Sequence, residues 1–285
     1  MIVAVINNKG GTGKTTVSVN LAAALANKGF RVLLVDLDCQ GSASRSLLEG
    51  SVTAGLTAAD VLLHQAPAGD AVVQTRVRRL HLMPGGMELA HTDLVLADVP
   101  GREDRLKDAL ATLTNQYDLI LCDCAPSLSM LPVNALLASD GYLVPLSPEH
   151  LAFEGLGSLM EAVDRIEEGM EVKLNLVGIV LTMVKAGRFA GWTREARDQR
   201  DIIGRVKARY GQDVFETVIR KAPAIARAPV RALTVAEEEP GGRGADDFEA
   251  LAREFMARVG PALSTKGAEQ QETAKNNVEI GEEGA

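Results

Sequence analysis

The chain has 285 residues, of which 46% are hydrophobic and 24% are charged, the balance of a globular protein with ample material for a core. No uncharged apolar run reaches the ~18 residues of a membrane span, and the start at Met1 lacks a basic leader, so we expect neither a membrane span nor a signal peptide. Three cysteines without metal-ligand spacing fit a reducing cytoplasm and argue against a disulfide scaffold.

The net charge of -8 argues against a general nucleic-acid binder, but the charge is unevenly distributed. Residues 185–231 contain twelve basic and five acidic side chains, so this stretch carries +7 and the rest of the chain carries -15. Such asymmetry favours one face for a polyanion on an otherwise acidic protein.

Short apolar runs alternate with amphipathic stretches, which predicts an α/β fold with a doubly wound, mostly parallel sheet and helices on both faces. Ligands are then expected past the carboxyl ends of the strands. The predicted strands are Ile2–Ile6, Arg31–Val35, Leu80–Met83, Leu119–Cys122, Tyr142–Val144, Val177–Thr182 and Val214–Val218. The predicted helices are Thr15–Lys28, Arg102–Thr114, Phe153–Glu168, Arg194–Tyr210 and Asp246–Val259.

The chain has no internal repeat and no interdomain linker, so we expect one domain over residues 1–263. Residues 264–285 are polar, lack aromatic side chains and carry a net charge of -3. This composition predicts a disordered acidic tail rather than a basic amphipathic membrane helix.

A glycine-rich loop follows the first strand. Its glycines can take positive φ and turn backbone N–H groups toward an anion, and the helix that starts near Thr15 adds its positive end. Lys14 can reach the β- and γ-phosphates of a nucleotide, and the Thr15 hydroxyl can ligate Mg²⁺. Asn8 stands where the usual G-x-x-x-x-G-K-[ST] motif has its first glycine. The glycines concerned are Gly10, Gly11 and Gly13.

Acidic residues end two apolar strands. Asp36 and Asp38 close the second strand and project to one side, because side chains alternate along a strand. One carboxylate near Mg²⁺ can hold its water shell, while a second can orient the attacking water. Asp123 ends a later apolar run in the same way.

The run Lys-Gly-Gly-Thr-Gly-Lys-Thr-Thr, from Lys9 to Thr16, resembles the deviant Walker A signature of the ParA/MinD ATPases, and the resemblance extends over most of residues 1–260. It implies a P-loop ATPase that uses ATP and Mg²⁺. It also implies a homodimer with ATP at the interface, in which Lys9 contacts the partner's nucleotide and Gly11 lies at the interface. The implied nucleotide contacts from this loop are Lys9, Gly10, Gly11, Thr12, Gly13, Lys14, Thr15 and Thr16.

The same resemblance assigns roles to the acids. Asp38 positions the hydrolytic water and acts catalytically with Lys9 and Lys14, Asp36 supports the metal site together with Thr15, and the Walker B residue Asp123 holds Mg²⁺ through a water. Two departures from the family pattern leave these acids intact: Cys39 and Ala125 each replace a proline.

The late part of the chain resembles the family's base-binding and DNA-binding segments, with changes. Met183 ends the strand that lies near the adenine, and Arg220 replaces a proline beside the base. The implied contacts to non-specific DNA are Arg188, Arg220, Lys221 and Arg227. The alternative for these basic residues is a solvated cationic face, where neighbouring acids pair with them.

The resemblance implies a cytoplasmic, nucleoid-associated ATPase switch that segregates or positions a plasmid, a chromosome origin or a protein assembly. A ParB-like protein or a cargo adaptor would stimulate it. A membrane-associated positioning ATPase like MinD is the alternative, but the acidic tail does not supply its basic helix. A cluster-carrying ATPase would need bridging cysteines, and Cys122 and Cys124 are better interpreted as small buried hydrophobic residues.

Overall fold

In the part of the chain that the structure describes, the apolar runs of the sequence form the strands of one eight-stranded sheet. The computed structural model describes residues 1–48, 55–127, 129–185 and 193–260. The strands are β1 (Ile2–Val5), β2 (Val32–Leu37), β3 (Val73–Gln74), β4 (Leu80–Met83), β5 (Leu119–Cys124), β6 (Gly141–Leu146), β7 (Leu176–Val184) and β8 (Val214–Arg220).

The sheet order is β3-β4-β2-β5-β1-β6-β7-β8, and every neighbouring pair is parallel except β3 and β4. The central strand β1 lies between β5 and β6, with Val5 opposite both Asp123 and Leu143. Every residue of β1, β2, β5 and β6 is buried, which explains their continuous apolar runs. The predicted doubly wound, mostly parallel sheet is confirmed.

Helices connect the strands and cover both faces of the sheet. They are α1 (Lys14–Asn27), α2 (Ser42–Leu47), α3 (Ala58–Leu62), α4 (Glu88–Leu96), α5 (Arg105–Ala111), α6 (Met130–Ala138), α7 (Ala152–Met170), α8 (Arg194–Tyr210), α9 (Pro223–Arg227), α10 (Val235–Glu238) and α11 (residues 243–260). Within the described parts of the chain, none of these helices combines the length and the apolar composition that crossing a membrane requires.

Alternating side chains of the strands feed two core layers. Val3 and Val5 of β1 pack in one layer with α1 and α11, whereas Ile2 and Ala4 pack in the other with helices that include α6 and α7. This separation follows from the two-residue repeat of a strand, and it places α1 directly after the loop that leaves β1.

The main strands and the longer helices were predictable from the sequence, but two kinds of error occurred. The helix predicted over Arg102–Thr114 is wrong in extent, because a 3₁₀ turn covers Arg102–Asp104 and α5 covers only Arg105–Ala111. The short helices α2, α3, α4, α6, α9 and α10 and the two-residue strand β3 were not predicted. The boundary of the domain at residue 263 and the acidic tail stay predictions, since residues 261–285 lie outside the described residues.

The packing of α11 on the sheet gives a stability prediction. Phe255 is completely buried beside Phe215 and Leu251, so Phe255→Ala should lower the free energy of unfolding by about 3–5 kcal/mol through lost burial and a cavity. Urea denaturation measures this loss. Arg253→Ala, on the exposed side of the same helix, is the control and should change stability by less than about 0.5 kcal/mol. A loss below about 1 kcal/mol for Phe255→Ala would contradict the packing.

Candidate active site

The carboxyl ends of three central strands bring the predicted site residues to one edge of the sheet. The parallel register pairs Asp36 of β2 with Asp123 of β5, and Asp123 with Val5 of β1. The glycine-rich loop leaves β1 at this level and enters α1, so the loop and both acids meet here because of strand order alone.

The backbone of the glycine-rich loop takes a left-handed conformation at two positions. Gly11 has φ 72° and Gly13 has φ 85°, a conformation that favours glycine. Gly13 also caps the amino end of α1 and lies against Thr182, where an added Cβ would stand 3.6 Å from the Thr182 side chain. Gly10 has no positive φ, so the sequence-based expectation of positive φ at all three glycines is wrong at that position.

Two polar side chains that the sequence analysis missed fix the loop to the sheet. Asn7 donates from Nδ2 to the carbonyl of Pro145 in β6 at 2.8 Å and accepts from the backbone N–H of Lys9 at 2.9 Å. Thr182 of β7 donates from Oγ1 to the carbonyl of Thr12 at 2.7 Å. Both are buried polar residues within or next to apolar strands, a pattern that could have indicated them.

Lys14 lies almost wholly inside the site. Only 7% of it is exposed, and Nζ donates to the carbonyl of Lys9 at 3.3 Å. Burial lowers the pKa of Lys14 from the ordinary lysine value, while the nearby acids Asp123 and Asp38 act against this shift. A buried cation at the amino end of a helix suits the binding of a phosphate chain.

Asp123 is fully buried, and its two carboxylate oxygens differ. Oδ1 accepts a hydrogen bond from the Ser18 hydroxyl at 2.8 Å, whereas Oδ2 has no hydrogen-bond partner among the described residues. Burial, followed by the charge of Asp36, raises the pKa of Asp123 to about 7, and the hydroxyls of Ser18 and Thr15 oppose the shift. A buried carboxylate oxygen without a donor fits a hydrated magnesium ion as its partner.

Asp36 is also fully buried, but both of its oxygens are already bonded. Oδ2 accepts from the backbone N–H of Ser44 at 2.8 Å and from its hydroxyl at 2.7 Å, while Oδ1 accepts from the N–H of Asp38 at 3.2 Å. Burial raises the pKa of Asp36 despite the Ser44 bonds. Its carboxylate therefore holds the loop between β2 and α2 in shape.

Asp38 faces the cleft instead. It is 9% exposed, and Oδ1 accepts from the backbone N–H of Gln40 at 2.8 Å. Asp38 lines a cleft of about 380 Å³ together with the glycine-rich loop, Lys14 and Thr15. The structure thus brings Asp38, Lys14 and the loop around one space, and places Asp36 behind them.

A second, apolar pocket of about 200 Å³ shares Gly13, Thr16 and Met183 with this cleft. Met183 has φ 54°, an uncommon conformation for a residue with a side chain, at the point where β7 ends. Ile219 and Ile225 contribute apolar walls. The size and lining suit a flat heterocycle next to a phosphate site.

The predicted DNA-contacting residues lie in unlike surroundings. Arg220 donates from Nε and Nη2 to Asp247, at 3.0 and 2.5 Å to Oδ1, and Arg227 forms ion pairs with Glu238 at 2.8 Å and with Glu239 at 3.3 Å. Lys221 is exposed and forms no ion pair with a carboxylate of the described residues. Arg188 lies outside the described residues.

The remaining predicted catalytic residue, Lys9, is at the surface. Its side chain is 42% exposed, and Nζ lies 3.9 Å from a carboxylate oxygen of Glu149, in the loop after β6. This is a weak contact between solvated charges, so it leaves the Lys9 ammonium group free to change partners.

The two cysteines of β5 flank Asp123. Cys122 and Cys124 are buried free thiols, and burial raises the pKa of Cys122 to about 12, so the thiol stays protonated at neutral pH. They pack as small apolar residues in the core around the strand.

Comparison with known proteins places this site in a family. A family model described as an AAA domain matches residues 1–176. The chain is 37% identical to the sporulation initiation inhibitor protein Soj of Bacillus subtilis over 256 residues, which are 90% of this chain and 98% of Soj. It is 36% identical to the chromosome partitioning protein ParA of Caulobacter vibrioides, covering 90% of this chain and 94% of ParA.

A solved structure agrees with these relatives. The crystal structure of cobyrinic acid a,c-diamide synthase from Mycobacterium smegmatis, with a bound ATP analogue and magnesium, is 31% identical and superimposes with a TM-score of 0.73. The superposition covers 88% of this chain and 92% of that one. From its fold, its glycine-rich loop and its relatives, the chain belongs to the ParA/MinD family of P-loop ATPases.

Proposed function

We propose that this chain is an ATP-driven dimerising switch that binds double-stranded DNA without sequence preference and positions a cargo in the cell. The observation that carries the proposal is the single cleft that joins the glycine-rich loop, buried Lys14 and Asp38. Asp123 is buried close enough to Lys14 to influence its pKa, and its Oδ2 has no hydrogen-bond partner in the described parts of the chain.

ATP fits the two joined pockets. The phosphate chain lies on the backbone N–H groups of residues 9–16 and the amino end of α1, with Lys14 at the β- and γ-phosphates. The adenine occupies the apolar pocket beside Met183 and Arg220. The Mycobacterium smegmatis relative holds an ATP analogue with magnesium, which supports the same ligands here.

Thr15 and Asp123 are the residues that would hold the magnesium ion, the first through its hydroxyl and the second through a water on Oδ2. When bound, the ion neutralises charge that develops on the phosphate oxygens. Asp36 supports this site indirectly, since its oxygens are used by Ser44 and Asp38.

Asp38 positions the attacking water. Its Oδ1 is anchored by the N–H of Gln40, which fixes the carboxylate and leaves Oδ2 to accept from a water in the cleft. Phosphoryl transfer depends chiefly on such placement and on charge stabilisation, so one oriented carboxylate suffices.

The surface at Lys9 and Gly10 supports a dimer. A Cβ on Gly10 would meet no atom within 4 Å, and its φ is not positive, so nothing in the described chain requires glycine there. A nucleotide or a second copy that approaches the backbone closely does require it. Exposed Lys9, with only a weak contact to Glu149, then reaches the partner's nucleotide.

The proposed DNA contacts are the basic residues at and after the carboxyl end of β8. Lysine and arginine neutralise phosphates without reading sequence, which suits a positioning ATPase on a nucleoid. Lys221 is the clearest candidate, whereas Arg220 and Arg227 are shared with acids. A ParB-like protein or a cargo adaptor would stimulate hydrolysis, as the resemblance of the glycine-rich loop to the ParA/MinD signature implies.

Lys14→Ala should abolish measurable ATP binding and turnover, because the only buried ammonium group that lines the described cleft is lost. Titration with a fluorescent ATP analogue and a phosphate-release assay measure both. Lys28→Ala, at the exposed far end of α1, is the control and should behave like the wild type. Wild-type turnover by Lys14→Ala would refute the assignment of the nucleotide site.

Asp38→Ala should lower ATPase activity by about 100-fold or more, because water placement is lost while the phosphate contacts remain. Light scattering with Mg²⁺ and ATP should then give twice the monomer mass. Asp108→Ala, an exposed acid of α5, is the control. A monomer under these conditions, with ATP still bound, would count against the dimer.

Lys221→Gln should weaken DNA binding and flatten its salt dependence, with a loss in slope of about 0.9 for each phosphate contact removed. Fluorescence anisotropy with a DNA duplex between low and moderate salt measures the slope. Lys173→Gln removes the same charge from an exposed residue before the amino end of β7, whereas Lys221 follows the carboxyl end of β8. This control should leave the slope unchanged.

Equal slopes for both lysine variants would reject Lys221 as a DNA contact. Co-sedimentation with anionic vesicles in the presence of ATP distinguishes the proposed DNA-binding switch from the alternative of a MinD-like, membrane-associated ATPase. Binding to vesicles without binding to DNA would replace the proposed DNA switch with a membrane-associated ATPase.

A further inference from the structure

The lining of the proposed nucleotide cleft includes one arginine that is not part of the glycine-rich motif. Arg45 lies on α2, and its side chain is exposed. It follows Gly41, where the loop that carries Asp38 enters the helix, by four residues. Lys14 and Arg45 are the two cationic side chains among the described residues that line the cleft of about 380 Å³.

The charge of Arg45 is not balanced by an acid. Its guanidinium group donates from Nη1 to the carbonyl of Gln40 and from Nη2 to the hydroxyl of Ser42 at 3.2 Å, and both acceptors are neutral. No carboxylate of the described residues forms an ion pair with it, in contrast to Arg220 and Arg227.

We infer that Arg45 is a phosphate-binding residue of the nucleotide site and contacts the phosphate chain from the α2 side of the cleft. The inference rests on the proposed position of the nucleotide. A guanidinium–phosphate bond is charge-assisted and stronger than a bond to a neutral carbonyl or hydroxyl. An anion in the cleft therefore competes successfully with Gln40 and Ser42 for the two donors.

The present contacts of Arg45 also link it to the hydrolytic acid. The peptide unit around Gln40 accepts from Arg45 through its carbonyl, and the N–H of Gln40 donates to Oδ1 of Asp38. The backbone N–H of Gly41 in turn donates to the carbonyl of Asp38 at 2.8 Å. When Arg45 turns to a phosphate it releases the Gln40 carbonyl, so phosphate binding reaches the loop that orients Asp38.

The test is the affinity for ATP, ADP, AMP and adenosine, measured by calorimetry or by displacement of a fluorescent nucleotide. Arg45→Gln should weaken ATP binding by about 10-fold or more, the usual effect of losing a hydrogen bond from a charged group. Arg45→Lys keeps the charge but loses the fork, so it should retain part of the affinity. The smallest ligand of the series whose affinity falls in Arg45→Gln identifies the phosphate that Arg45 contacts: AMP the α-phosphate, ADP the β-phosphate and ATP the γ-phosphate.

Arg79→Gln is the matched control. Its exposed guanidinium also donates to a main-chain carbonyl, that of Gly29 at 2.7 Å. Arg79, however, lies before the amino end of β4, whereas the cleft lies at the carboxyl ends of the strands. Because Arg45 and Arg79 are both exposed, the thermal melting midpoints of Arg45→Gln, Arg45→Lys and Arg79→Gln should equal that of the wild type. If Arg45→Gln does not fold, the affinity of Arg45→Lys provides the test.

Two results would overturn the inference. ATP binding by Arg45→Gln within twofold of the wild type would remove Arg45 from the phosphate site, and equal weakening for adenosine would place it on the nucleoside instead. The proposed nucleotide position is judged separately: if Lys14→Ala loses ATP but Arg45→Gln does not, only the role of Arg45 fails.

Discussion

The buried carboxylate of Asp123 is the constraint on which the rest of the site depends. The register of the sheet places it beside Val5 and Asp36 with no access to water, and only Oδ1 has a donor in the described chain. A buried charge without partners is costly, as the raised pKa of about 7 reflects. In the proposed function, Lys14, the Thr15 hydroxyl and a hydrated magnesium ion would offset that cost, and the ion would supply the partner that Oδ2 lacks among the described residues.

The two acids of β2 divide the remaining work by burial. Asp36 and Asp38 are two residues apart in the chain, yet of these two acids Asp38 alone borders the cleft. Ser44 turns back from α2 to saturate Asp36, and Gly85 packs so closely that an added Cβ would stand 2.3 Å from the Asp36 carbonyl. The inner acid therefore fixes the loop, and the outer acid, held by that loop, borders the cleft that we propose for the nucleotide.

The sequence was sufficient for the features that local pattern determines. The apolar strands, the glycine-rich loop and the acids that end strands depend on a few adjacent residues. Short helices escaped prediction because tertiary contacts define them: α6 carries Pro132 in its first turn and is capped by Asp93, 38 residues away from Leu131. Ion pairs such as Arg220–Asp247 join residues 27 positions apart. A local charge count therefore overstates the positive charge available to DNA in this region.

The division between buried and exposed groups applies to the cations of the site as well. Buried Lys14 already faces Asp123 and Asp38, so the deep site offers a polyphosphate little excess positive charge. Arg45 and Lys9 lie in solvent, where a charge costs little to keep and where neutral atoms or a distant Glu149 hold it loosely. Such side chains leave the free protein stable and gain a charged partner when a polyanion binds. In the proposed nucleotide site, buried Lys14 therefore holds the phosphates, and exposed Arg45 adds affinity without a cost to the free protein.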